Sequence, residues 1–278
     1  MEEILWESRW EPPPTTANTQ PLGPPGLDGS FSVQSEGVFD PHSVTFNNTG
    51  SRMFVTGATS DEVHQYNLGT GFDITTAAFD VSLDVSSETN GPESVVFNST
   101  GSRMFVAESP KVFQYNLFTN FDISTASLDV SFDVGSQDNR PRGITFNPTG
   151  SRMFVVGTQN NNVYQYNLTT NFDVTTATFL QSFGVGSEDN DAKGVRFNPT
   201  GSRMFVVGRQ NAKVYQYNLG TAFDITTASF SVSFDVSSED DRPEGITFND
   251  TGSRMFIIGT RNNSVYQYNL GTPFDIST

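Results

Sequence analysis

One ionisable residue recurs at the same place in each of five near-identical stretches: His42, Glu93, Arg142, Lys193 and Glu244, at intervals of 51, 49, 51 and 51 residues. Residues so far apart act together only if a fold gathers them around one centre. Gathered, Glu93 and Glu244 are the types a glycosidase uses for acid–base and nucleophilic work, and His42 is the type that exchanges protons near neutral pH. The slot changes charge while its surroundings stay constant, which marks either a tolerant surface or a tailored binding face. These five are the candidate ligand-binding residues.

Other chemistries lack their residues. There is no cysteine, hence no thiolate nucleophile, disulfide or cysteine metal site. No HExxH, phosphate-cradling glycine loop or GxSxG elbow occurs, and a Ser/His/Asp relay would have to use His42 or His64, the only histidines. His64 occupies a slot that holds tyrosine at Tyr164, Tyr215 and Tyr266, and reads as a packing substitution. No catalytic residue, metal or cofactor is assigned. Acidic loops around Glu88, Asp138, Glu188, Asp189, Glu239 and Asp240 carry oxygen ligands suited to calcium, but without a recognisable ligand spacing. A second variable stretch runs through Asp61, Glu62, Lys111, Asn161, Lys213 and Asn263.

Fifteen basic against 31 acidic residues give a formal charge of -16, which repels phosphate backbones and anionic membranes. The opening MEEILWESRW lacks the basic start and apolar run of a secretion signal, so folding in a cytoplasm is expected.

The frame that must position these residues is visible as repetition. TGSRMF occurs five times, with its arginine at Arg52, Arg103, Arg152, Arg203 and Arg254, and FNPTGSRMFVVG is spelled twice. In the third copy, Ile144–Asn147, Arg152–Val156, Val163–Leu168 and Thr178–Val185 alternate apolar with polar residues, separated by turn residues. Four short antiparallel strands in about fifty residues cannot bury both faces alone, so copies must stand side by side. The expected fold is all-β, a five-bladed propeller, with the repeated Met-Phe pair in the core between blades.

The fifth copy stops before its fourth strand, at Phe274–Thr278. Ser30-Phe31-Ser32-Val33 spells the same letters as Ser229–Val232 of the fourth copy, so the missing strand is expected at the N-terminus. Phe31 and Val33 should lie beside Tyr266 and Tyr268, closing the ring and covering an open edge. Residues 1–29 form a separate leader and 30–278 the ring. Ile4, Leu5, Trp6 and Trp10 place both tryptophans on one face of a short turn ended by prolines, a docking anchor. Gly23–Gly29 (GPPGLDG) has the spacing of a collagen stub.

The stretch GITFNPTGSRMFVVGTQNNNVYQYNLTTNFDVTTATF resembles the tandem propeller repeats of the YVTN and NHL-like class, especially those in proteins of marine tailed phages and bacterial surfaces. The resemblance covers residues 37–278 and carries no catalytic residues to transfer. It implies a non-enzymatic virion component, such as a tail fibre, tail tip or capsid decoration. Such a component is docked on other virion proteins through residues 1–29 and turned toward a glycan or protein of the host surface. Copies repeated on a particle would gain strength by multivalency. The alternatives are a cellular or surface-displayed lectin with sugar sites between blades, and a glycosidase using Glu93 and Glu244.

Overall fold

The structure, a computed structural model, describes residues 23–278. The docking residues Ile4, Leu5, Trp6 and Trp10 lie outside the described residues.

Each copy folds as its alternation dictates. In blade three, strands Pro141–Phe146, Arg152–Gly157, Asn162–Leu168 and Ala177–Gly184 pair in that order as one antiparallel sheet. Four further sheets of the same plan complete a five-bladed β-propeller. The inner strands, Pro41–Phe46, Ser94–Phe97, Pro141–Phe146, Ala192–Phe197 and Pro243–Phe248, stand next to one another around the axis.

Local chemistry sets the turns. After the first inner strand, the Asn47 side chain accepts from the Arg52 amide at 3.0 Å, and Gly50 takes a φ of 68°. A Cβ at Gly50 would sit 2.2 Å from the Phe72 ring, so glycine is required both by conformation and by space. Before the fourth strand, Asp73 caps a short 3-10 turn by accepting from the Thr75 amide, Asp122, Asp173 and Asp224 do the same, and Asp275 accepts from the Ser277 amide in the matching turn at the C-terminal end. Each cap drives an apolar residue inward: Ile74, Ile123, Val174, Ile225 and Ile276 are buried.

The Met-Phe pair explains how blades share a core. Successive side chains point to opposite faces of a strand. Met104 therefore packs with Phe54 and Val63 of the preceding blade, while Phe105 packs with Ile144 and Met153 of the following one. The five repeat methionines and the phenylalanines that follow them are fully buried, and each phenylalanine contributes about 1.5–3 kcal/mol by leaving water.

Two polar latches join every neighbouring pair of blades. Arg52, Arg103, Arg152, Arg203 and Arg254 each donate through Nη1 to the carbonyl of Phe121, Phe172, Phe223, Phe274 and Phe72 on the next blade, at 2.5–2.8 Å. The repeated arginine is thus a joint, a role its sequence did not disclose. Buried Gln65, Gln114, Gln165, Gln216 and Gln267 accept the amide of the following blade's capped apolar residue, as in Ile123 N–H to Gln65 at 3.2 Å.

Gly26–Ser32 pairs antiparallel with Ser264–Asn269 and supplies the outermost strand of blade five. Its register differs from the expected one. Phe31 faces Val265 and Leu27 faces Tyr268, just as Phe234 faces Val214 and Phe230 faces Tyr217 in blade four. Ser30–Val33 therefore corresponds to Ser233–Val236, four residues beyond the match made on spelling. Residues 229–236 of blade four read SFSVSFDV, so the motif fits once exactly and once, four residues on, with Asp235 in place of its second serine. Burial decides: Val33 is fully buried in the place held by Val85, Val134 and Val236. The strand also starts four residues before the expected boundary, which makes Gly26–Gly29 sheet rather than collagen-like chain. Among the described residues, no helix is long and apolar enough to cross a membrane.

Candidate functional site: the two ends of the central channel

The five candidate residues do meet. In four blades the pairing slips at this slot, between Pro41 and Ser43, Pro141 and Gly143, Ala192 and Gly194, and Pro243 and Gly245. Such a bulge leaves one residue out of the ladder and re-aims its side chain. In blade two, Glu93 immediately precedes the inner strand, its amide bonded to Ala107 O at 2.8 Å.

What the slot assembles is a closed set of ion pairs. His42 Nδ1 lies 3.0 Å from Glu93 and its Nε2 3.7 Å from Asp40. The other Glu93 oxygen pairs with Arg142. Glu244 is met by Arg209 at 2.9 Å and by Lys193 at 3.6 Å, and Lys193 also reaches Asp191 at 3.1 Å. Burial works to neutralise His42, but Asp40, Glu93 and the charge of Glu244 outweigh it and push its pKa up to about 9, so it is a cation at neutral pH. Burial raises the Glu244 carboxyl, opposed by Lys193, His42 and Arg209. The inner strands are so close here that a Cβ on Gly143 would lie 2.7 Å from Lys193 O. The remaining axial space, about 10 Å³, is the size of one water.

The remaining sequence candidates hold loops in place. Buried Asp189 accepts from the amides of Asp191, Gln210 and Asn211 and from the Tyr215 hydroxyl, and Asp138 and Asp240 cap the corresponding loops. Glu188 and Glu239 accept from Tyr217 and Tyr268 at 3.1 Å, and Glu88 from Tyr115 at 3.4 Å. Among the described residues no three His, Cys, Asp or Glu converge as metal ligands. His64 is buried beside Glu62 at 3.2 Å, and burial holds its pKa below the ordinary value.

The opposite end, under the Thr-Gly hairpins, is open. Two adjoining cavities of about 210 and 230 Å³ share Phe146, Pro148 and Arg196. Their walls include the half-buried rings of Phe46, Phe97, Phe146, Phe197 and Phe248. Thr45, Thr145 and Thr247 face the same space, with no hydrogen-bond partner for their hydroxyls among the described residues. Arg196 also lines the small axial space from the other side, so it sits between the two ends. Its Nη1 donates to Ile144 O at 2.8 Å and to Val195 O at 3.0 Å. Among the described residues Nε and Nη2 have no partner and no carboxylate pairs with this arginine. Burial alone pulls its pKa down to about 10. Sequence reasoning missed Arg196, although the signal exists: the slot reads Thr45, Val96, Thr145, Arg196, Thr247, one charge among four uncharged residues.

No protein-family model matches the sequence, and no curated protein matches it. Solved structures are similar in fold. A luciferin-regenerating enzyme aligns over 90% of this chain and 97% of its own, with TM-score 0.56 and 8% identity. The Cps50 (Swd1) β-propeller domain of Myceliophteria thermophila aligns over 89% and 100%, with TM-score 0.51 and 10% identity. A functionally unknown protein from Desulfotomaculum acetoxidans aligns over 84% of each chain, with TM-score 0.51 and 15% identity. At these identities the similarity speaks for the fold alone: the chain is a five-bladed β-propeller, sealed at one end of its axis by ion pairs and open at the other.

Proposed function

We propose that this propeller is a non-enzymatic attachment component of a tailed-phage virion, in the position of a tail fibre, tail tip or capsid decoration. Residues 1–29, of which Gly26–Gly29 already belong to the ring, dock it on other virion proteins. The ring is presented to a glycan or protein of the host surface. The observation that carries the non-enzymatic part is that Glu93 and Glu244 are both held by cations at the sealed end. A glycosidase needs one carboxyl to give a proton and a second to attack or activate water across the same bond. The virion assignment rests on the resemblance of the repeats. Immunogold electron microscopy of purified particles tests it: label at a fixed position on the virion is expected, and protein recovered only free in the cell would end it.

A surface-displayed lectin is the second reading, favoured by the open mouth with its unpaired hydroxyls. Glycan binding by a protein absent from particles would select it. Unchanged sugar hydrolysis after the double replacement Glu93→Gln and Glu244→Gln would exclude the glycosidase reading.

A further inference from the structure

We propose that the open mouth of the channel binds a terminal sugar bearing a carboxylate, with Arg196 as the residue that takes the acid group. The proposal deepens the attachment reading by naming its ligand class.

Arg196 differs from the other cations near the axis. Arg142, Lys193, Arg209 and His42 each have a carboxylate within 3.6 Å or closer. Among the described residues Arg196 has none, and partly withdrawing an uncompensated charge from water destabilises a fold. The fold does not need it: three of the four other blades carry threonine in this slot and one carries valine. With Nη1 occupied by two carbonyls, the free edge is Nε–Nη2, two parallel N–H donors. That edge matches the two oxygens of one carboxylate.

The surroundings specify what carries the acid group. Hydroxyls of Thr45, Thr145 and Thr247 supply polar contacts, and half-buried phenylalanine rings supply apolar ones. A pyranose has hydroxyl edges and apolar faces that use both. Lobes of about 210 and 230 Å³ are smaller than the ~300–1,000 Å³ of drug-sized ligand sites, which fits a single terminal unit. The exposed carboxylate of Asp250 also lines the mouth and, with the overall charge of -16, disfavours polyanions. One half-buried cation admits one negative charge.

The test titrates the full chain with methyl glucuronide, methyl glucoside and acetate, followed by NMR or calorimetry, for the natural protein and for Arg196→Thr. Because threonine stands in this slot in three blades, the variant should fold, and it should melt at a higher temperature because an unpaired charge is gone. Glucuronide affinity is expected to drop at least about tenfold in Arg196→Thr, with glucoside equally weak for both proteins. Arg196→Lys, which keeps the charge without the fork, should recover little of the loss. Equal glucuronide binding by natural protein and variant would overturn the proposal, as would acetate binding as tightly as glucuronide. A variant that melts lower would overturn it too, by showing the arginine to be structural. Since these measurements use purified protein, their failure alongside virion labelling would remove the ligand class and leave the attachment reading standing.

Discussion

Arg254 Nη1 donates to the carbonyl oxygen of Phe72 at 2.8 Å, joining residues 182 positions apart. The bond is the same one that ties each blade to the next, so the seam between last and first blades is built like the other four. Charge-assisted hydrogen bonds contribute about 1.5–3 kcal/mol, and partial exposure reduces that to about 1–2 kcal/mol here. Arg254→Ala and Arg103→Ala should therefore lower stability to urea by similar amounts. A silent Arg254→Ala beside a costly Arg103→Ala would mean the seam is fastened by something else.

The two histidines should titrate in opposite directions. His42 is raised to about 9 by its acidic neighbours, whereas burial lowers His64. A raised folded-state value means that His42 stabilises the ring fully below about pH 6.5, its ordinary value, and loses that contribution as pH climbs through about 9. The stability of the natural protein should decline across that window, and Glu93→Gln should flatten the decline by removing a partner. Imidazole NMR signals reporting both rings near 6.5 would refute the ion-pair geometry.

Glu244 is buried between Lys193 and Arg209. Neutralising it strands a buried cation, for which the typical cost is about 3–5 kcal/mol; Asp191 still faces Lys193, so about 3 kcal/mol is expected for Glu244→Gln. Thermal melting at low and high salt checks this. A loss below about 1 kcal/mol would show the pair to be effectively solvated.

Truncation separates leader from ring. Removing residues 1–22 should leave melting unchanged, because Gly26–Ser32 stays paired. Removing residues 1–33 strips blade five of its outermost strand and exposes the edge of Ser264–Asn269, so aggregation is expected in light scattering. Two equally soluble truncations would contradict the closure.

Strand positions, blade number and the origin of the closing strand were legible because side-chain alternation and repetition are properties of the chain itself. The register of that strand was not, since SFSVSFDV offers its motif two places and only the burial of Val33 chooses between them. The arginine latch was hidden for another reason: its acceptor is a backbone carbonyl, and a carbonyl has no letter. The charged slot stood out in the sequence by its variation alone, whereas its pairing depends on distances across the axis. Arg196 could have been found by asking which slot holds a single charge where the other copies have none.

The strand that completes blade five is also the piece of chain through which the ring continues into residues 1–22. A pull on those residues would therefore enter the ring at Gly26 and act first on its ladder with Ser264–Asn269, backed by the Gln267 bond to Asp28 at 2.6 Å. The mechanical strength of any tether made this way is set first by that ladder, and the force that peels it would strip blade five of its outermost strand while Arg254 still holds the Phe72 carbonyl.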